Sequence, residues 1–233
     1  MPIRAVTIDF HNTIARCDRW FALEIRELVP EVLRLLAERG EFAAPEGSAA
    51  QARVTYRALR EGIMASGAER DALDCTLATL HTLDLTPDDG AVAAAIEALR
   101  ARGLRLGVVS SAVHHPFLDW TLERFGVVGA FDTIITSASC GYYKTRPEIY
   151  HAALRDLGSA ATDAIHVGDS YRFDVQGAHR AGLRAIWYAS TEAALNQPDN
   201  EADATVSDLA TLPTVIATLA GDDEPPQRRW WRR

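Results

Sequence analysis

Short apolar runs alternate with longer amphipathic segments along most of the chain, and this alternation constrains the fold more than any other feature. The runs are rich in Val, Ile and Ala and apolar on both faces, which is typical of parallel strands covered by helices on each side. They span residues 5–10, 104–111, 131–137, 164–170 and 183–189, with a weaker sixth run at 204–208. The pattern predicts an α/β fold with a Rossmann-like, three-layer parallel sheet core.

Helical periodicity fills the segments between these runs. We predict helices at about 90–102, 115–125, 147–158 and 173–182, followed by Gly103, Gly126, Gly158 and Gly182. A glycine just past the last helical residue is a common end signal, because it adopts the left-handed conformation at little cost.

One long segment departs from the alternation. Residues 15–89 show helical periodicity rich in Leu, Ala and Arg without a convincing strand, which predicts an all-helical insertion. The α/β core is therefore expected from residues 1–14 and 90–220. The remaining residues, 221–233, form an Arg- and Trp-rich tail, either solvated or docked on a partner, an acidic surface or a lipid interface.

Composition narrows the classes of function. The 233 residues carry 24 basic and 32 acidic side chains, a net charge of -8, which argues against a nucleic-acid-binding surface. The first ten residues match neither a signal peptide nor a membrane span, so we expect a cytoplasmic protein. The three cysteines (Cys17, Cys75 and Cys140) are widely spaced, which predicts buried thiols rather than a disulfide framework or a zinc site.

Polar residues follow the apolar runs at the positions where the predicted strands end. In open α/β sheets these carboxyl ends meet at one edge, where ligands bind. The residues expected to converge there are Asp9, His11, Ser110, Ser111, Ser137, Asp169, Lys144 in a loop, and Asp174 at a helix start.

Three carboxylates in this set favour a metal site. Singly, Asp9, Asp169 and Asp174 could each cap a turn or a helix terminus. Brought together they would repel one another, whereas a hard divalent cation with oxygen ligands removes that penalty. Mg²⁺ is the natural candidate.

Lys144 is the only lysine among the 24 basic residues of the chain. A compact ammonium differs from a planar guanidinium where it must lie as a point charge beside a carboxylate and a phosphate oxygen. A single surface lysine in a loop is the plainer alternative. Ser110 likewise has a plain alternative as a capping hydroxyl.

These pieces, in this order, resemble the four motifs of the haloacid dehalogenase-like hydrolase superfamily, most of whose members are phosphatases. The motifs correspond to residues 8–14 (IDFHNTI), 108–111 (VVSS), Lys144 in GYYKTRPEIY, and 166–175 (HVGDSYRFDV). Each motif alone is weak, but four in order with the expected strand context are specific. The resemblance covers residues 3 to 210 and places 15–89 where that family has its helical cap.

The resemblance implies a hydrolase that cleaves a small phosphorylated metabolite. Asp9 would be the nucleophile that forms an aspartyl-phosphate. Mg²⁺ would be held by Asp9, the main-chain carbonyl of His11 and Asp169, with Asp174 close by or acting through water. Ser110 would bind a phosphoryl oxygen, and Lys144 would neutralise charge between Asp9 and the phosphate.

One position departs from the family pattern. Its phosphatases usually carry a second Asp two residues after the nucleophile, as the general acid and base, and here that residue is His11. His11 could perform the same proton transfers, since imidazole titrates near neutrality. Alternatively, it fills space or binds substrate, which would leave a long-lived aspartyl-phosphate and slow turnover or transfer to another acceptor.

Other chemistry on Asp9, or binding without catalysis, is also open. Family branches that cleave carbon–halogen or carbon–phosphorus bonds lack the second Asp too. Dehalogenases do without the metal, however, whereas this chain keeps Asp169 and Asp174. Phosphonoacetaldehyde-type hydrolases use a cap lysine, and residues 15–89 contain none. A non-catalytic protein that binds a phosphorylated ligand is the remaining alternative.

Substrate contacts are expected from the first loop, the second motif and the cap. The candidates are Thr13, Ser110, Ser111, Lys144, Arg19 and Trp20, with His114 and His115 near the entrance. Arg53, Arg57 and Arg60 share one face of a predicted cap helix, which is either solvated or faces a second anionic group of the substrate. The identity of the substrate and the oligomeric state are not indicated by the sequence.

Overall fold

Six parallel strands form one sheet in the computed structural model, which describes residues 2–15, 91–112, 115–189 and 201–221. The strands are β1 (Ala5–Ile8), β2 (Arg105–Ser110), β3 (Thr133–Thr136), β4 (Ala164–Gly168), β5 (Arg184–Tyr188) and β6 (Ala204–Val206). Their order across the sheet is β3-β2-β1-β4-β5-β6. Every strand lies within a predicted apolar run, and the predicted α/β fold is confirmed.

Helices connect the strands, as expected for parallel pairing. They are α1 (Ala91–Ala101), α2 (His115–Arg124), α3 (Ser137–Cys140), α4 (Pro147–Leu157), α5 (Gln176–Arg180) and α6 (Leu212–Ala220). The predicted glycine stop after α4 is present: Gly158 has φ +60°, and its N–H donates to the carbonyls of Arg155 and Leu154. The left-handed region is readily adopted by glycine, so the helix ends there.

Two predicted boundaries differ from the structure. The helix expected over 173–182 is shorter, because a wide π-helical turn (Tyr171–Val175) precedes α5. Ser137, expected at the end of a strand, instead begins α3. The reason is local: the Thr136 hydroxyl and the Ser139 side chain form a reciprocal capping box, which starts a helix directly after β3.

The sheet carries one hydrophobic core on each face, which gives the predicted three layers. On one face, Val6 and Ile8 of β1 belong to a cluster that includes residues of α1, α2 and α6. On the other, Ala5 belongs to a cluster with residues of α4 and α5. Because side chains alternate along a strand, Thr7 and Asp9 point to this second face.

Several predictions lie outside the described residues. They concern the helical insertion from residue 16 to its end at 89 and the tail from 222 to 233, together with Cys17 and Cys75. Cys140, predicted as a buried thiol, is partly exposed. In the part of the chain that the structure describes, no helix has the length and apolar character needed to cross a membrane.

Candidate active site

Asp9 directly follows the central strand β1 and is almost completely buried, with 3% of its surface exposed. Its N–H donates to the carbonyl of Val167 in β4 at 2.8 Å, which continues the pairing of the two strands. The chain adds β2 and β3 on one side of β1 and β4 to β6 on the other. Asp9 therefore lies at the topological switch point, where open α/β sheets form their binding crevice.

A tight loop after β1 fixes the residues next to Asp9. The Phe10 carbonyl accepts hydrogen bonds from the N–H groups of Ile14 and Ala15 at 3.0 Å each. Asn12 has φ +57° and donates its N–H to the Ala15 carbonyl at 2.6 Å. Asparagine tolerates this left-handed conformation better than most residues, so the loop can turn back within a few residues. The loop holds His11 on the same crevice as Asp9.

Lys144 joins two of the predicted carboxylates. Its ammonium lies against Oδ1 of Asp9 and 2.6 Å from Oδ1 of Asp174. All three side chains are at most 5% exposed. The backbone N–H of Lys144 donates to the Ser111 hydroxyl at 3.4 Å. Ser111, predicted to contact substrate, thus helps to hold the loop that carries Lys144.

Asp174 is held by protein donors on both oxygens. Oδ1 accepts from Lys144 and from Nε2 of His166 at 2.9 Å, while Oδ2 accepts the N–H of Ser170 at 2.8 Å. The prediction placed Asp174 at a helix start, but it lies in the π-helical turn with its side chain buried. Charge-assisted hydrogen bonds of this kind favour the ionised form. Burial opposes the effect, but Lys144 and His166 lower the pKa of Asp174 to about 2.

The site contains more negative than positive charge. Burial raises the pKa of Asp9 well above its ordinary value, and Asp174 and Asp169 add to this rise while Lys144 opposes it. Burial and Asp174 likewise raise the pKa of Asp169 to about 6. Although burial opposes it, Asp174 and Asp9 raise the pKa of Lys144. One ammonium therefore does not balance three neighbouring carboxylates.

The three carboxylates have the donor chemistry of a site for a hard divalent cation. One oxygen from each of Asp9, Asp169 and Asp174 can be chosen so that all lie within 4.8 Å of one another. A divalent cation would remove the excess negative charge that raises the pKa of Asp9 and of Asp169. Because the oxygens of Asp174 already accept protein hydrogen bonds, Asp9 and Asp169 are the better placed direct ligands.

His11 lies beside Ser110, another of the residues expected at this edge. Its Nδ1 is 3.2 Å from the Ser110 hydroxyl, which also accepts the N–H of Ala112 at 3.3 Å. Burial and the charge of Lys144 lower the pKa of His11 to about 3, so its ring is neutral at physiological pH. Among the described residues, neither Nε2 of His11 nor the buried Thr13 hydroxyl has a hydrogen-bond partner.

The structure brings most of the predicted site together and leaves some residues elsewhere. The predicted residues gathered at the crevice are Asp9, His11, Ser110, Lys144, Asp169 and Asp174, while Thr13 is buried in the loop after β1. Ser137 donates to the Tyr142 carbonyl at 2.9 Å instead. His115 begins α2 and contacts the Thr136 hydroxyl. Arg19, Trp20, His114 and the three arginines predicted on one cap face lie outside the described residues.

A layer of buried polar side chains beneath the site, formed by Thr7, Tyr150 and His166, was not predicted from the sequence. His166, Thr7 and Tyr150 are buried and hydrogen-bonded there, but none of them follows the end of a strand. One signal was available: Thr7 and His166 are polar residues inside otherwise apolar runs, and a buried polar side chain requires a partner. Their cross-strand pairing in the β1–β4 register identifies that partner.

A family model for haloacid dehalogenase-like hydrolases matches residues 3–182, which is most of the chain and includes all four motifs. The chain belongs to this family. The predicted enzyme class, a hydrolase, is confirmed by this membership. The match begins just before β1 and ends just past α5, so it covers the whole crevice described above.

Several curated relatives of the chain are phosphatases by name. A glyceraldehyde 3-phosphate phosphatase of Methanothermobacter thermautotrophicus is 35% identical over 123 residues, which cover 51% of this chain and 54% of the relative. A phosphoserine phosphatase of Thermus thermophilus is 35% identical over 117 residues, covering 47% of this chain and 43% of the relative. The chain spans about half the length of the curated relatives it matches.

Solved structures match over nearly the full length. A 2-haloacid dehalogenase from Pseudomonas syringae is 26% identical, with a TM-score of 0.63 and coverage of 93% of this chain and 99% of that one. A family phosphatase from Thermococcus onnurineus is 24% identical with a TM-score of 0.59, covering 92% and 98% respectively, and supports the fold alone. Proteins named for two different reactions thus share this fold. The fold alone does not determine the reaction, which depends on the residues of the site.

Proposed function

We propose that the chain is a magnesium-dependent phosphatase that hydrolyses a small phosphate monoester through an aspartyl-phosphate on Asp9. The observation that carries this proposal is the buried Asp9 at the switch point, in contact with the ammonium of Lys144. A carboxylate in this position can act as a nucleophile, and the adjacent cation can stabilise the charge of a phosphoryl group.

The proposed metal site uses oxygen ligands. Asp9, the main-chain carbonyl of His11 and Asp169 would hold Mg²⁺, with Asp174 acting through water because Lys144, His166 and Ser170 occupy its oxygens. When bound, Mg²⁺ supplies positive charge that offsets the negative charge of the phosphoryl oxygens. The surplus of carboxylates in the site supports a dication over a second ammonium.

The first chemical step is in-line attack of an Asp9 oxygen on phosphorus. A bond forms between this oxygen and phosphorus while the ester bond breaks, and the leaving oxygen takes up a proton from water. Lys144 lies next to Asp9 and stabilises the transferred group, and the Ser110 hydroxyl can donate to one of its oxygens. The contribution of the protein is positioning and electrostatics, as in other phosphoryl transfers.

In the second step, water attacks phosphorus and regenerates the Asp9 carboxylate, releasing inorganic phosphate. We assign His11 as the base that accepts the proton of this water at Nε2. Its Nδ1 then donates to Ser110, which is within 3.2 Å, and the Ser110 proton remains available for a phosphoryl oxygen. The unpartnered Nε2 within the described part of the site supports this assignment.

Support for a small phosphorylated substrate comes from the curated relatives. The names of the phosphatases among them refer to phosphorylated three-carbon compounds, a triose phosphate and a phosphorylated amino acid. Both esters combine one phosphate with further polar groups. We therefore propose a small phosphorylated metabolite as the partner of this chain.

A second candidate function is slow dephosphorylation or transfer of the phosphoryl group to another acceptor. It is favoured by His11, because the imidazole stands where the family pattern has a carboxylate and its Nδ1 is occupied by Ser110. General acid–base catalysis contributes roughly 10²- to 10⁴-fold in rate, so a less effective group would extend the lifetime of the aspartyl-phosphate.

The test is phosphate release from a panel of phosphate esters, with and without Mg²⁺, and halide release from 2-haloacids in parallel. The proposal expects magnesium-dependent phosphate release that Asp9→Asn abolishes, and no halide release. Release of halide without metal would support a dehalogenase instead. If no ester is cleaved and ligand binding is unchanged in Asp9→Asn, the protein is a non-catalytic phospho-ligand binder and the proposal fails.

A further inference from the structure

Beneath the crevice, Thr7 and His166 form a buried pair that the proposed reaction does not use. Both are fully buried, at 0% exposed, and they face each other across the paired strands β1 and β4. The Thr7 hydroxyl lies 2.9 Å from Nδ1 of His166, and Nε2 of the same ring lies 2.9 Å from Oδ1 of Asp174. A continuous chain of contacts thus runs from Thr7 to Asp174.

The partners determine which atoms carry the protons. An ionised carboxylate only accepts, so Nε2 of His166 must donate to Asp174. In a neutral ring Nδ1 then accepts, and the Thr7 hydroxyl donates to it. The Asp174 carboxylate therefore selects the tautomer of His166, and the Thr7 hydroxyl, by donating to Nδ1, holds the ring in the orientation that points Nε2 at Asp174.

The surrounding backbone leaves Asp174 little freedom. A Cβ atom at Gly168 would lie only 2.2 Å from Cγ of Asp174, so the carboxyl group packs directly against the β4 backbone. The Tyr150 hydroxyl donates to the carbonyl of Phe173 at 2.6 Å, which ties down the residue before Asp174. The Tyr150 ring also contacts the His166 ring edge-on, at 5.0 Å between centroids.

We propose that His166, oriented by Thr7, is a positioning residue that fixes the carboxylate of Asp174 and, through it, the ammonium of Lys144 beside Asp9. His166 does not contact Asp9 in this chain of hydrogen bonds and acts only through Asp174. The catalytic consequence rests on the proposed phosphatase function. The positioning itself is a property of the folded protein and can be measured without substrate.

Lys144 provides a direct probe, because it is the only lysine in the chain. Labelling with ¹⁵N-lysine gives a single side-chain ammonium signal in nuclear magnetic resonance. An ammonium held by two buried carboxylates exchanges its protons slowly and gives a visible signal, whereas a loosely held one exchanges fast and the signal is lost.

Two substitutions of His166 separate positioning from packing. Glutamine places an amide N–H₂ where Nε2 lies and can still donate to Asp174, whereas asparagine places it near Nδ1 and cannot reach. We expect His166→Gln to keep the Lys144 signal and to change kcat by less than about threefold. His166→Asn is expected to lose the signal and to lower kcat by about 10- to 100-fold, the range seen for outer-shell partners, with KM little changed.

The control is His151, whose Nε2 lies 3.1 Å from the Ala181 carbonyl, away from the site. Asparagine and glutamine at position 151 should both leave the Lys144 signal and kcat unchanged. Equal effects of the two substitutions at His166, on the signal and on kcat, would show that His166 only fills space and would overturn the proposal.

If His166→Asn does not fold, Thr7→Val decides the question. It removes only the hydroxyl that holds the His166 ring in this orientation, so we expect a weakened Lys144 signal and a kcat lowered at least about threefold. An unchanged signal would overturn the proposal. Absence of phosphate release in the wild-type protein, with the expected differences in the Lys144 signal, would overturn the phosphatase function and leave the positioning role supported.

Discussion

The two edges of the sheet both pair aspartates with basic side chains, but in opposite proportions. At the amino edge, Asp132 precedes β3 and binds two arginines, with Nη1 of Arg100 at 2.8 Å and Nε of Arg105 at 3.1 Å. Those arginines are 40% and 50% exposed, and the Leu106 N–H donates to the same carboxylate. At the carboxyl edge, three aspartates lie close together, and two of them contact one buried lysine.

The balance of charge separates the two edges. At the amino edge partial burial raises the pKa of Asp132, but the hydrogen bond from the Leu106 N–H and the two arginines lower it below its ordinary value. At the carboxyl edge burial and neighbouring aspartates raise the pKa of Asp9. A buried excess of one charge destabilises a fold unless a ligand compensates it. The carboxyl edge therefore has the charge of a cation site, as the proposed function requires, whereas the ion pairs of the amino edge stabilise the fold.

The largest expected contrast between the edges is in catalysis. Asp9→Asn removes the nucleophile and should lower phosphate release by at least about 10³-fold. Asp132→Asn, the same substitution at the other edge, should change the rate by less than about twofold. The rates are compared under saturating Mg²⁺. Comparable losses in both variants would contradict the assignment of catalysis to the carboxyl edge alone.

Substituting one basic residue at each edge tests the same difference on the side of the cations. Lys144→Met keeps the length of the side chain and removes its charge, and it should lower kcat by about 10²- to 10³-fold, as for loss of one electrostatic stabiliser. Arg105→Met at the amino edge should leave kcat unchanged. Steady-state kinetics check both, and a Lys144→Met enzyme with wild-type kcat would remove Lys144 from the mechanism.

His11 is expected to act as a base and not as an acid. Its pKa is lowered to about 3, so it stays neutral from pH 8 down to pH 5, and the rate at saturating Mg²⁺ should show no inflection in this range that His11→Ala removes. His11→Ala should slow turnover by about 10²-fold. If His11→Asp instead greatly accelerates hydrolysis, the imidazole does not replace the acid and base of the family pattern.

The smallest effect is expected in stability at the amino edge. Asp132→Asn should lower the free energy of unfolding by about 1 kcal/mol or less, because its arginine partners are largely solvated. The pKa of Asp132 is lower in the folded protein than in the unfolded chain. The stabilisation is therefore complete at pH values above the ordinary aspartate pKa, and it is lost as the pH falls through the pKa of the folded protein. Urea unfolding of both proteins at neutral and acidic pH measures it, and a difference that persists in acid would contradict the assignment.

Much of this architecture could be predicted from sequence because parallel strands and their ends leave strong local signals. Apolar runs marked all six strands, and the polar residues after them identified Asp9, Ser110 and Asp169. Boundaries shifted where side chains formed local hydrogen bonds, as at the cap of Thr136 that starts α3.

The layer below the site could not be predicted in the same way, since it depends on which strands pair and in what register. Thr7 and His166 are 159 residues apart in sequence, and the β1–β4 register alone makes them neighbours. The roles of Asp174 and Ser111 as fixed supports also follow from contacts between distant loops.

The most direct test of the central claim is the intact mass of the protein quenched in acid during turnover of a phosphate ester. We expect a fraction of wild-type protein heavier by one phosphoryl group, with the added mass mapped to the peptide containing Asp9 and absent from Asp9→Asn. Turnover of a substrate with no phosphorylated protein at any time of quenching, or with the group on another residue, would contradict it.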